Sequence, residues 1–158
     1  QPAWCDVHDL ANSVAVSLSH ELLPFKLAVI IPEDMPLVNI DFGLMEQAIH
    51  NLVLNATQHA PEGTRIRLKF FYDAGFLVIQ VMDRGKGFTA EDLLSVFNKF
   101  YRGKDAKAGG TGLGLSIVKG FVEAHNGTVH AENRQNGGAK ITIKIPSRTP
   151  VLDAVSRE

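Results

Sequence analysis

The sequence predicts a two-layer α/β sandwich, a mixed and mainly antiparallel sheet with helices packed on one face. Two alternations carry that reading. Ile66, Leu68 and Phe70 interleave with Arg65, Arg67 and Lys69, and Ile141, Ile143 and Ile145 interleave with Lys140, Thr142 and Lys144. A period of two buries one sheet face and wets the other, whereas a doubly covered sheet would read as continuous apolar strands. Three segments of helical spacing then supply a single covering layer.

Taken in order, Val7, Leu10, Val14, Leu18 and Leu22 predict a helix over 6–23 that ends before Pro24. Leu27 to Ile31 is a short apolar strand, closed by the turn Pro32-Glu33-Asp34-Met35-Pro36. Asp41 is a good N-cap for a second helix reaching His59 and ended by Ala60-Pro61-Glu62-Gly63. The charged alternation at 65–70 and the run Phe76 to Met82 form a hairpin about Asp73-Ala74-Gly75. A short helix is expected over Thr89 to Val96, a polar, glycine-rich loop over Asn98 to Gly110, and a helix over 112–125. Gly127 to Glu132 is a strand, Asn136-Gly137-Gly138 a turn, and the second alternation the last strand. From Thr149 to Glu158 no periodic pattern is visible, so the domain is read as 1–148 with a tail at 149–158.

A chain of 158 residues with 45% apolar and 21% charged content has enough material for one domain with a core. Its net charge of -1 and scattered lysines and arginines argue against nucleic acid as the main partner. Cys5 is the single cysteine, which excludes an internal disulfide and points to a reducing, cytoplasmic setting. No apolar stretch approaches the roughly 18–20 residues that cross a bilayer, so direct membrane contact is not expected of this chain. Beginning at Gln1 without Met, it reads as a piece of a longer parent, which can carry membrane spans of its own.

Three features bear on chemistry. Gln47, Asn51, Asn55 and Gln58 form a stripe of neutral amides on the 41–59 helix. Such a stripe is either a solvated face or a source of carbonyl oxygens for a hard cation and N–H donors for phosphate. Asp83 ends a strand and opens Asp83-Arg84-Gly85-Lys86-Gly87. There a carboxylate can accept from an exocyclic amine while glycines admit a flat ring, or simply cap a turn. Gly109-Gly110-Thr111-Gly112-Leu113-Gly114-Leu115 runs into a helix whose positive end favours an anion. No Gly-Lys-Ser/Thr follows and no strand leads in, so the run is neither a Walker loop nor a dinucleotide fingerprint.

The order of these features is more specific than any one of them. Asn51-Leu52-Val53-Leu54-Asn55-Ala56, Asp83 to Gly87, Phe97-Asn98-Lys99-Phe100-Tyr101-Arg102-Gly103 and Gly110 to Leu115 resemble the N, G1, F and G2 boxes of sensor histidine kinases. The resemblance covers about residues 4–146 and implies the Bergerat ATP-binding fold shared with gyrase and Hsp90-class ATPases. Ile31-Pro32-Glu33-Asp34-Met35-Pro36-Leu37-Val38, Glu123-Ala124-His125-Asn126-Gly127, and Ala131-Glu132-Asn133-Arg134 with Gly137-Gly138-Ala139 look closest to the potassium-responsive Kdp type.

The resemblance implies ATP and Mg²⁺ as cofactors and assigns roles by position. Asn55 would hold the metal and Asn51 assist near the phosphates, with Gln58 and His59 beside them. Asp83 would recognise the adenine amine, and Gly85 and Gly87 would shape the base pocket. Phe97, Phe100, Tyr101 and Arg102 would belong to a lid, while Gly110, Thr111, Gly112, Leu113, Gly114 and Leu115 would set backbone against the triphosphate. Thr142 would help close the base pocket. Many relatives carry Lys or Arg at position 58 and Tyr at position 59. Gln58 supplies no charge, so Lys86, Arg102, Lys104 and Lys107 are the candidate compensating cations.

The implied partners are an upstream dimerisation domain bearing the phosphoacceptor histidine and a response regulator, in a homodimeric, membrane-anchored parent sensing potassium or osmotic state. Ser19-His20-Glu21-Leu22-Leu23-Pro24-Phe25 imitates the phosphoacceptor box, but only a strand, a turn and part of a helix separate it from Asn55. His20 is therefore read as a residue near the end of an ordinary helix, and His125 as a capping or packing residue. Two other functions stay open. A gyrase-type ATPase clamp would place a Glu base four residues before the metal-binding Asn, where this chain has Asn51. A degenerate nucleotide sensor without transfer is suggested by Gln58.

Overall fold

The computed structural model describes residues 1–98 and 114–150. Asp6 caps α1 (Val7–Ser17) by accepting a hydrogen bond from the His8 N–H. The helix is shorter than its apolar spacing predicts: Leu18 to Pro24 continue as turns, with the Leu22 N–H donating to the Leu18 carbonyl. Ser17 Oγ donates back to the Val14 carbonyl at 3.1 Å, the local competition by which serine weakens a helix end. Leu18 is nonetheless buried and Leu22 packs on the core, so the spacing reports burial correctly even where it misreports the helix. His20 lies exposed in these turns.

Two strands escape the sequence pattern. β1 (Ala3–Cys5) pairs antiparallel with β3 (Val38–Ile40) in a separate two-stranded sheet. Three residues are too few to display a period of two. Between them, β2 (Lys26–Ile30) is the predicted first strand, and the 32–36 turn closes through the Met35 N–H and the Pro32 carbonyl.

Asp41 caps α2 (Phe42–His59), accepting from the Leu44 N–H at 3.0 Å. The hairpin of β4 (Arg65–Asp73) and β5 (Phe76–Met82) turns on Ala74 and Gly75, both at positive φ. That pair of left-handed residues is what a tight two-residue connection demands. Thr89 caps the short α3 (Ala90–Ser95), and α4 (Gly114–Glu123) is followed by β6 (Thr128–Asn133) and β7 (Ala139–Pro146).

The five-stranded sheet has the order β2-β4-β5-β7-β6, parallel between β2 and β4 and antiparallel elsewhere. Its register lines Leu68, Val81, Ile141 and Ala131, then Phe70, Ile79, Ile143 and Val129, along one face. α2 and α4 pack on that face and on each other, and α1 packs on α2. Their buried residues, Met45, Ile49, Leu52, Val118 and Val122 among them, join the strand residues in one core. The opposite face carries Arg67, Lys69, Gln80, Lys140, Thr142 and Lys144, so the sandwich has two layers as predicted.

His125 ties the ends of two helices together. Its Nε2 accepts from the Asp41 N–H at 3.1 Å, and its Nδ1 lies 2.8 Å from the Phe121 carbonyl, which requires Nδ1 to carry the proton. The capping role expected of it thus extends from the end of α4 to the start of α2.

Candidate functional site

The end of β5 meets the end of α2 around Asp83. This carboxylate is 5% exposed, and its Oδ1 accepts from the Gly85 N–H at 2.8 Å and from the Ala139 N–H at 3.3 Å. Among the described residues both hydrogen bonds fall on Oδ1, and Oδ2 accepts none. A carboxylate buried this deeply is worth its desolvation only when its acceptor sites are used.

Glycine is required around it for steric reasons. A Cβ on Gly85 would lie 2.6 Å from the His59 carbonyl oxygen, so the loop rests directly on the last turn of α2. Gly87 has φ +77, and a Cβ there would meet Asn133 Oδ1. Gly138 has φ +97, and a Cβ there would overlap the Asp83 carbonyl oxygen. The loop after Asp83 is thereby pressed between the end of α2 and the β6–β7 turn.

Two residues absent from the sequence-derived roles hold this arrangement. Asn133 accepts from the Phe88 N–H at 2.6 Å and donates to the Phe88 carbonyl at 2.8 Å, pairing with the loop as a strand would. Arg134 Nη1 donates to the Asp83 carbonyl at 2.9 Å. Burial, and then the charges of Arg84 and Arg67, hold the Arg134 guanidinium below its usual range, while Asp83 acts against them. Both residues sit in the Ala131 to Arg134 stretch, but their spacing from Asp83 along the chain gave no sign of contact.

Thr142 is a correction. β7 alternates, and Thr142 falls on the open face opposite the helices, paired with Gln80 through a 3.5 Å contact. The β7 residue that reaches Asp83 is Ala139, three positions earlier and on the other face.

The amide stripe lies along the outer side of α2. Asn51 and Asn55 are half-buried, whereas Gln47, Gln58 and His59 are exposed. Asn51 Nδ2 donates to the Gly114 carbonyl at 3.4 Å, joining the stripe to the first residue of α4. Leu115 and Phe97, on either side of residues 99–113, are partly buried against the core. Phe100, Tyr101, Arg102, Gly110, Thr111, Gly112 and Leu113 lie outside the described residues, as do Lys104 and Lys107.

The donor set suits Mg²⁺ rather than a metal caged by protein. Among the described residues no group of three or more His, Cys, Asp or Glu could hold an ion. The Asn55 carboxamide makes no hydrogen bond among those residues and offers a hard oxygen. Magnesium commonly takes one or two protein oxygens and fills the rest of its shell with water and substrate phosphates.

Comparisons with known proteins bear on the family and the fold. The family model described as histidine kinase-, DNA gyrase B-, and HSP90-like ATPase matches residues 41–149. The chain is 37% identical over 125 residues to the sensor protein KdpD of Clostridium acetobutylicum, covering 77% of the chain and 14% of that protein. It is 40% identical over 111 residues to the sensor histidine kinase YvrG of Bacillus subtilis, covering 66% of the chain and 19% of that protein. Kdp-type and other sensor kinases are thus comparably near. The chain spans less than a fifth of these curated relatives. The nucleotide-free catalytic domain of histidine kinase ThkA superposes with a TM-score of 0.82 at 25% identity, over 92% of this chain and 95% of that one. Full-length ShkA in complex with AMPPNP gives 0.82 at 24% identity, over 94% and 32%, and shares the fold. With the family model matching residues 41–149 and sensor kinases among its relatives, this chain belongs to the histidine kinase-, gyrase- and HSP90-like ATPases, as the ATP-binding catalytic domain of a sensor histidine kinase.

Proposed function

We propose that this domain binds ATP–Mg²⁺ and delivers the γ-phosphoryl to a histidine on a separate dimerisation domain, for relay to a response regulator. The observation that carries the proposal is the buried Asp83 carboxylate, with Oδ2 free among the described residues and a glycine loop laid on the end of α2. Such a slot takes a flat base whose amine donates to Oδ2, and its glycines keep side chains out of the ring's way.

The remaining roles follow from position. The Asn55 oxygen is the metal ligand, and Mg²⁺ supplies neutralisation of the phosphate charge. Asn51, close to the Gly114 carbonyl, links α2 to the glycine segment and stands by the phosphates. Gln58 and His59 border the same side of α2; Phe97, Phe100, Tyr101 and Arg102 are assigned to a lid, and Gly110 to Leu115 to the triphosphate, most of them outside the described residues. Catalysis then consists of positioning and electrostatic stabilisation, the nucleophilic imidazole coming from outside residues 1–148. His20 is not that nucleophile, since it sits in the turns after α1.

The resemblance to the Kdp type, with KdpD proteins among the relatives, is the ground for reading the parent as a homodimeric, membrane-anchored sensor of potassium or osmotic state. An ATPase clamp is disfavoured because Asn51, at the position of the clamp's Glu, cannot take a proton from water. A module that senses nucleotide without transfer is the second reading, favoured by the exposed, uncharged Gln58.

Mixing this chain with the dimerisation domain of its parent and γ-labelled ATP tests the proposal. Label should appear on histidine of the added domain, none on this chain alone, and Asn55→Ala should slow transfer by about 100-fold or more. ATP hydrolysis without label transfer would favour the clamp; nucleotide binding with neither would favour the sensor.

A further inference from the structure

The corner of the open sheet face behind Asp83 is rich in cations, and of these Arg134 also supports the loop above through the Asp83 carbonyl. Register sets Arg67, Met82, Lys140 and Glu132 side by side across β4, β5, β7 and β6. The β6–β7 turn adds Arg134, Gln135 and Asn136, and together with Arg84 these residues line a cavity of about 440 Å³. Arg67 stands beside the lining residue Met82. Lys140 is neutralised by Glu132 at 3.1 Å. Asp83 Oδ1 is already engaged by Gly85 and Ala139 on the core side.

Among the described residues, the guanidiniums of Arg67, Arg84 and Arg134 form no ion pair with a carboxylate. Burial, and then the charges of Arg84 and Arg67, disfavour the charged Arg134 guanidinium, with Asp83 acting against them. Crowded like charge is relieved by a counter-anion, and guanidinium forks match tetrahedral oxyanions with paired N–H donors. The exposed Gln135 and Asn136 carboxamides add neutral donors at the rim. A cavity of about 440 Å³ has room for a small anion.

We propose that this cavity is a second anion site, binding a small phosphate such as inorganic phosphate or pyrophosphate between Arg84 and Arg134, with Arg67 completing the charge. The site lies on the opposite sheet face from the helices and does not depend on nucleotide binding beside α2.

Pyrophosphate titrated into the full 158-residue chain, followed by ¹H–¹⁵N NMR with arginine Nε–Hε resonances, tests it. Arg67 and Arg84 are the positions to substitute, because removing Arg134 would release the Asp83 carbonyl. Saturable shifts are expected at the amides of residues 132–140 and at the Arg84 and Arg134 side chains. Arg67→Gln with Arg84→Gln should weaken that affinity by about fivefold or more, while shifts at 51–58 persist. Shifts confined to 51–58 and 114–117, or an outer-corner affinity unchanged by the two substitutions, would overturn the proposal. So would chloride at matched ionic strength producing the same outer-corner shifts in the unaltered chain, a control that does not rely on how the variant folds.

Discussion

Gly138 shows how one missing side chain holds the loop after Asp83. Its φ of +97 and its approach to the Asp83 carbonyl both exclude a Cβ. Gly138→Ala should cost about 3 kcal/mol, from left-handed strain plus overpacking against a backbone that cannot yield. Chemical denaturation measures that loss; a variant as stable as the parent would mean the turn has another conformation available. The sequence made Asp83 and its glycines readable, because a carboxylate at a strand end followed by spaced glycines is a local pattern. It could not reveal Ala139, Asn133 or Arg134, which meet the loop only through β-strand register, nor that Thr142, on the wetted side of β7 as its alternation predicts, pairs with Gln80 there. Cys5 gives a residue-level test by pH. Burial pushes its thiol above the ordinary range, and its Sγ donates to the Ile40 carbonyl at 3.7 Å. The unfolded chain ionises first, so this contribution to stability is complete below the ordinary thiol range and fades as pH rises through the folded value. At pH 8 the folded chain should react with iodoacetamide about tenfold or more slowly than after denaturation, and equal rates would contradict the burial.

At the scale of elements, α2 and α4 are the pair that matters, since the amides stand on one and the glycine run leads into the other. Gly120 sits inside α4 with open space where a Cβ would go. Gly120→Ala should therefore stabilise the domain by about 0.5–1 kcal/mol, the reverse of Gly138→Ala. A lower melting temperature for this variant would show that the helix needs its glycine. Both helices and the β4–β5 hairpin were legible because each repeats its signal over several turns or pleats. β1 and β3 were not, being three residues each. The overrun of α1 has a different cause: Leu18 and Leu22 keep their inward spacing through a series of turns, and spacing alone cannot tell a turn series from a helix.

For the whole molecule, the two faces of the sheet divide the work. The covered face builds the core and ends in the Asp83 slot, while the open face carries the basic alternation that first gave away the two-layer architecture. That alternation is set by solvent and was visible in the sequence; the convergence of α2, the Asp83 loop and the β6–β7 turn is set by tertiary packing and was not. The central claim is that this convergence is an adenine site. Calorimetric titration with ATP–Mg²⁺ of the parent chain and of Asp83→Asn tests it most directly. The account predicts saturable binding by the parent and a loss of about tenfold or more in the variant, whose amide can present a donor where the adenine amine needs an acceptor. Equal affinity in the two proteins would contradict it.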